Sequence, residues 1–559
     1  MNPWSVWSSK DLQKVIEEQN PGLLDRLEVV LPGILGDDFY PDDLYDKQKL
    51  KNVIEAFLPS DAFAQKEFRF EYLNRLQPEY LNEASSFLGL AKMDDFGTSR
   101  DAIVAEEWKI PFATKFVEFF ELPNHFLPEE TNKKENSIDI FPPTEDRPLE
   151  IKSNFKQLID YQSGIYYKAL EKMNAAPRTR FIIQMPTGSG KTRTAMELVC
   201  NALNGADDIS VFWLAHTQEL CEQGIQCFLQ TWPHLAKKKV RAHRYWGNHP
   251  QPIPLANSND FVVGGFGKIC SALKKDANSL VQFKNRCSLI VVDEAHKTEA
   301  PTYKKAVQAL LGQETAVIGL TATPGRTYVE ESMALSDFYF NQLIELPDPR
   351  GNGVIEMLRD RKVLSKAEYR PIITNIDIPL SDTDRKYLEE HYELPPKIIS
   401  KLAHNDVRNI EIIQTLRKEL NNGKRVLVFG CSVNHSRYLN SVLLYLKAIG
   451  EKVFPGHIDG NTNLSKREAL IKKFRNGELN VLCNYGVLST GFDAPKTDAV
   501  MITRPTTSPV LYSQMIGRGL RGPIIGGTEF CRIIDVRDNI GEFGDADSVY
   551  SIFEDYWVN

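Results

Sequence analysis

"QMPTGSGKT", Gln184 to Thr192, is a run of glycine, hydroxyl and lysine residues able to hold a polyphosphate. Glycines let backbone N–H groups converge on phosphate oxygens, and a helix start adds positive potential. Thr187, Gly188, Ser189 and Gly190 then form the cradle, Lys191 reaches the β and γ oxygens, and Thr192 offers its hydroxyl to Mg2+. Met185 stands where the usual first glycine would be, so the match is to the variant with proline and threonine ahead of the glycines. Further on, "LIVVDEAHK" supplies two carboxylates with separable jobs: Asp293 to hold the Mg2+ shell, and Glu294 to polarise water for attack on a γ-phosphate. "GLTATPGR" adds Thr321 and Thr323, small hydroxyls suited to relaying the state of the phosphate. Late in the chain, "SQMIGRGLRG" sets Arg518 and Arg521 three residues apart with no acid in the stretch. A guanidinium fork stays ionised and fits phosphate oxygens. Phosphoryl transfer builds negative charge on the γ-phosphate, so arginines supplied from a second unit would make hydrolysis conditional on closure of a cleft.

These residues need elements that present them at a common edge. After a polar, proline-bearing linker, "LPEETNKKENSIDIFPPTEDRPLE", come the β-branched runs "RFIIQM", "ISVFWLAH", "DFVVGGF", "SLIVVDEAH" and "AVIGLTAT", each followed by turn residues or a helical pattern. The alternation predicts a parallel sheet flanked by helices, with ligands held at the strand ends. "KRVLVFGCS", "LNVLCN" and "DAVMITRP" repeat the pattern, "RIIDVRD" is a candidate to close the second sheet, and a more polar stretch connects the two sets. Residues 1–150 carry "YDKQKLKNVIEAFL" and "EEWKIPFATKFVEFFEL" at helical spacing. The expected fold is therefore α/β: a mainly helical N-terminal accessory domain and linker (1–150), a first parallel-sheet domain that binds the nucleotide (151–345), and a connector with a second such domain (346–559).

Composition narrows the classes. The 559 residues are 42% hydrophobic and 25% charged, as in a globular chain with several cores. The formal charge of −7 makes sticking to polyanions a local property rather than a global one. The eight cysteines include no C-x-x-C pair, against a zinc ribbon or a disulfide framework. No apolar run is long enough for a bilayer and the first residues lack a secretion signal, so the expected location is the cytoplasm, without membrane association. The acidic clusters "GDDFYPDDLYD" and "DADS" read as solvated loops.

In this order the motifs resemble superfamily 2 helicases of the DEAH-box kind, with two RecA-like domains. "VLSTGFDAPKTDAVMITRPTTSPVLYSQMIGRGLRG" is most similar to the RadD group and to the helicase part of type III restriction enzymes. That resemblance implies an ATP- and Mg2+-dependent DNA helicase or translocase serving repair or defence against foreign DNA. It places Tyr161 and Gln162 at the adenine, and Gly491 and Asp493 at the nucleotide from the second domain. It places His216, Thr217, Gly265, Lys268, Ser432, Ser489 and Thr490 on the nucleic-acid backbone, where hydroxyls and loop N–H groups grip without reading sequence. His296, Thr321, Thr323 and Gln514 fall at positions that couple the two activities. The zinc module of RadD proteins is not expected here, and the N-terminal stretch, which matches nothing in the resemblance, is a candidate platform for a protein partner. An RNA or RNA:DNA hybrid remodeller and a nucleotide-gated binding switch are the alternatives.

Overall fold

The computed structural model describes residues 4–540 except 5–6, 20, 59–60, 91–95, 123–125, 129–135, 143–156, 177, 253–257, 277, 279, 298–300, 323–328, 348–352, 392, 463, 490–495 and 507–508. Two sheets dominate it. The first has eight strands: β1 (Ser137–Ile140), β2 (Arg180–Gln184), β3 (Ser210–Ala215), β4 (Val240–Tyr245), β5 (Asn259–Gly265), β6 (Cys287–Asp293), β7 (Ala316–Thr321) and β8 (Leu343–Glu345), in the order β1-β4-β5-β3-β6-β7-β2-β8. All pairings are parallel except β1 with β4. β3 and β7 are buried along their whole length, which is why they read as unbroken apolar runs rather than alternating ones. Because these strands run parallel, the residues that follow their C-terminal ends collect at one edge.

The second sheet holds β9 (Lys366–Tyr369), β10 (Ile372–Asp377), β11 (Val426–Phe429), β12 (Pro455–Ile458), β13 (Val481–Asn484), β14 (Ala499–Ile502) and β15 (Phe530–Asn539). Its order is β10-β15-β14-β11-β13-β12, with β9 also paired to β15, and every pairing is parallel. "RIIDVRD" therefore lies inside the sheet rather than closing it, because the connector contributes β9 and β10 beyond it. The linker read from sequence likewise contributes β1, whose Asp139 is held by the Arg241 guanidinium at 2.6 and 3.0 Å.

The N-terminal region is helical, as its periodicity predicts: Lys47–Phe57 and Ile110–Phe119 cover the two quoted stretches. Its interior is aromatic, with Phe63 ringed by Tyr72 at 5.1 Å, Phe126 at 5.0 Å and Phe116 at 5.5 Å. Helix Leu23–Leu35 lies against Asp406–Asn421 of the second lobe, and Lys47–Phe57 against Val433–Ala448. Gln414 and Arg417 of the second lobe donate to the Gly33 and Ile34 carbonyls at 2.6 and 3.0 Å, and the Arg26 guanidinium sits 3.6 Å from the Tyr438 ring centroid. Leu27, Leu31, Val53, Ile412, Leu439 and Val442 belong to one continuous apolar core. The N-terminal domain and the second lobe are one packing unit.

Candidate active site

Four neighbouring strand ends lay out the chemistry. In sheet order, β3 runs into His216, β6 into Asp293 and Glu294, β7 ends at Thr321, and β2 leads into the glycine-rich loop. Gly188 and Gly190 have φ of 85° and 91°, a left-handed backbone that suits glycine. A Cβ on Gly190 would also fall 2.2 Å from Gln162 Nε2. Helix Lys191–Gly205 starts directly after the loop, so its unpaired N–H groups point at the cradle. Lys191 Nζ donates to the Met185 carbonyl at 3.0 Å, folded over the loop. Thr187 and Ser189 are buried, and Ser189 Oγ donates to the Pro186 carbonyl at 2.7 Å. Tyr161 OH and Gln162 Nε2 donate to the Ser189 carbonyl at 2.7 and 3.0 Å, so the helix Asp160–Ala175 is pinned to the phosphate loop.

The acidic pair is deeply buried. Burial, followed by the charge of Glu294, raises the Asp293 carboxyl to about 7. For Glu294, burial would raise the carboxyl, but Lys191, His296, Arg518 and His216 outweigh it and leave it lowered. His296 Nδ1 lies 3.3 Å from Glu294 Oε2 and 3.1 Å from Thr321 Oγ1, linking the acid to the end of β7. Glu294 itself has a φ of 54°, an unusual left-handed backbone for a side chain of its size, where the strand breaks.

The second lobe completes the site. Arg518 is buried at the end of helix Pro509–Ile516, donates Nε to the Gln514 carbonyl at 3.2 Å, and is lowered by burial against the opposing pull of Glu294 and Asp293. Burial and then Arg475 lower Arg521 to about 10. A Cβ on Gly188 would meet Arg521 Cγ at 3.6 Å, and one on Gly517 would meet Thr187 Cγ2 at 2.6 Å. The arginine loop thus rests on the phosphate loop, with the cleft shut. Burial lowers Lys191, opposed by Glu294 and Asp293 and reinforced by both arginines. All these groups share one electrostatic environment.

Four of the expected nucleic-acid residues are engaged by the chain around them. Thr217 and Ser432 cap helices Gln218–Leu235 and Val433–Ala448, accepting from Leu220 N at 3.3 Å and His435 N at 3.1 Å. Lys268 Nζ donates to the Gly247 carbonyl at 3.0 Å, and Gly265 immediately precedes helix Phe266–Lys275. Ser489 is buried and donates to the Gly486 carbonyl at 2.7 Å. Thr323, Thr490, Gly491 and Asp493 lie outside the described residues. Among the described residues, two ion pairs that reach the first lobe from later in the chain escaped the sequence reading: Glu219 with Arg467 of the second lobe, and Asp160 with Arg361 of the connector at 2.6 Å. Neither carries a local signature, since the partners are more than two hundred residues apart.

A phosphate loop, an acidic strand end and two arginines contributed by a second RecA-like lobe define a two-lobed protein with one site split between the lobes. Residues 155–326 match the family of the type III restriction enzyme, res subunit, and residues 409–522 match the helicase conserved C-terminal domain. The chain belongs to the superfamily 2 helicases, the ATP-dependent enzymes built from these two domains. It is 27% identical to the Saccharomyces cerevisiae protein IRC3, over 68% of this chain and 51% of that one. With the Escherichia coli type I restriction enzyme EcoKI endonuclease subunit it shares 24% identity over 66% of this chain and 34% of the subunit. The chain spans about half to three fifths of the length of three curated relatives it matches. The crystal structure of the DUF1998 helicase MrfA bound to DNA shares the fold, with a TM-score of 0.51 at 15% identity, covering 76% of this chain and 57% of that one. Among the described residues no helix is long and apolar enough to cross a membrane.

Proposed function

We propose that the protein is a DNA translocase or helicase that converts ATP hydrolysis between its lobes into movement on, or remodelling of, DNA in repair or in defence against foreign DNA. The observation that carries this reading is that buried Arg518 and half-buried Arg521 from one lobe lie beside Lys191 from the other, with Arg518 also facing Glu294. A site that exists only when the lobes meet turns each ATP cycle into a relative motion of two surfaces. Lys191 and the loop N–H groups bind the triphosphate, Glu294 orients and deprotonates the attacking water, and the arginines stabilise charge on the γ-phosphate. The Thr192 hydroxyl at the helix start and the Asp293 carboxylate are oxygen donors suited to Mg2+, which would neutralise phosphate charge when bound. DNA is favoured because relatives of partial coverage include proteins named ATP-dependent DNA helicase RecG and DNA 3'-5' translocase XPB2, at 22% and 23% identity. Residence in the cytoplasm fits that role.

The test is ATP turnover by the full chain in the presence of single-stranded, duplex and forked DNA and of RNA. Stimulation by DNA at least tenfold above that by RNA is expected. Preferential stimulation by RNA would move the protein to RNA remodelling, and none by any of the four would leave a nucleotide-gated switch.

A further inference from the structure

The resemblance drawn from sequence places Tyr161 and Gln162 at the adenine. A glutamine that reads this base must offer both ends of its amide together, an N–H to N7 and the oxygen to N6. In Gln162 both ends are already engaged within the chain. Its Oε1 accepts from Ile159 N at 3.0 Å, while its Nε2 donates to the Ser189 carbonyl at 3.0 Å and to Tyr161 OH at 3.4 Å. The residue is 4% exposed, and the amide lies so near the loop that a Cβ on Gly190 would fall 2.2 Å from Nε2. Tyr161 is equally buried, and its hydroxyl donates to the same Ser189 carbonyl at 2.7 Å. We infer that Tyr161 and Gln162 are positioning residues for the phosphate loop, and that neither reads the nucleobase.

What the pair controls is the direction of one peptide group. A carbonyl oxygen has two lone pairs, and at Ser189 both face donors from the first turn of helix Asp160–Ala175. In a trans peptide the N–H points opposite to the carbonyl, so the N–H of Gly190 is turned away from that helix. Gly190 needs such a restraint, because its φ of 91° is a conformation that glycine leaves as readily as it enters. Ser189 Oγ, bonded to the Pro186 carbonyl at 2.7 Å, ties the other side of the same residue to the start of the loop. Helix Lys191–Gly205 begins directly after Gly190, so the braced peptide stands where the loop passes into the helix whose first N–H groups face the phosphates. A brace at that place acts on the polyphosphate, whatever base is attached to it.

The inference rests on nucleotide binding at the proposed site, and its test uses neither DNA nor turnover, so the two fail separately. Affinities of the full chain for ATP and for inorganic tripolyphosphate, which has no base, are compared by displacement of a fluorescent ATP analogue in the presence of Mg2+. Tyr161→Phe keeps the ring and loses only the hydroxyl; Gln162→Met keeps the length and loses the amide. Each is expected to weaken ATP and tripolyphosphate by the same factor, about 3- to 30-fold for one lost hydrogen bond. Their ratio therefore stays within about twofold of the parent protein's. Weakening of ATP alone in Gln162→Met would make the glutamine a reader of the base and overturn the inference. Unchanged binding of both ligands in Tyr161→Phe would overturn it as well, since the hydroxyl would then hold nothing that the phosphates feel. Failure of the parent protein to respond to any nucleic acid would count against the motor and leave the binding comparison readable.

Discussion

Glu294 and Gly517 illustrate two ways in which one residue decides the site. In the proposed mechanism Glu294 supplies the base, so Glu294→Gln is expected to slow phosphate release by about two to four orders of magnitude while ATP still binds, measured by turnover beside a nucleotide-binding titration. Gly517 supplies an absence. With Thr187 Cγ2 2.6 Å from where its Cβ would be, Gly517→Ala pushes the arginine loop off the phosphate loop. Turnover should fall at least about tenfold through the misplaced arginines, with the melting temperature little changed; equal activity in the alanine variant would disprove the close approach. Lys191, Asp293, Glu294, Arg518 and Arg521 were legible because phosphate chemistry demands those side chains in recognisable local patterns. Gly517 was visible as a letter, but its contact was not, because Thr187 lies on the other lobe. The same holds for Glu219 and Arg467, an acid and a base among many until the fold brings them together.

At the level of elements, sheet order does the assembling. β7 sits between β2 and β6, so the phosphate loop and the acidic pair are separated by the strand whose end carries Thr321. The buried strands β3, β6 and β7 were readable from their apolar runs. β1, β8 and β9 were missed because four residues or fewer, largely exposed or half-buried, carry no periodic signal. Across the cleft, helix Gln218–Leu235 meets Leu464–Asn476 through Glu219 and Arg467, each 12% exposed. Opposite charges withdrawn from water to that depth attract more strongly than an exposed pair and favour the closed arrangement. Arg467→Ala is therefore expected to raise KM for ATP by about tenfold or more and to reduce the closed fraction seen by fluorescence transfer between dyes on the two lobes. Glu219→Arg combined with Arg467→Glu should recover most of the loss; no recovery would show that the pair is not what joins the helices.

For the molecule as a whole, the N-terminal helices are less an appendage than the missing wall of the second lobe. Cutting the chain after residue 126 strips cover from the helices carrying Ile412, Leu439 and Val442, and the remainder is expected to melt at least about 10 °C lower or to aggregate on size-exclusion chromatography. A truncated protein with unchanged stability and monodispersity would contradict the shared core. This packing was not legible from sequence, since amphipathic spacing declares an apolar face without naming what it faces. On the catalytic side, the arginine loop is bonded to the chain that joins the lobes: Gly522 N donates to the Val363 carbonyl at 2.8 Å, and Ser365 Oγ to the Arg521 carbonyl at 2.7 Å. The two arginines are thus mounted on the segment that joins the lobes. A rotation about that segment would carry both together, so the proposed hydrolysis would follow the angle between lobes rather than the wandering of a loop.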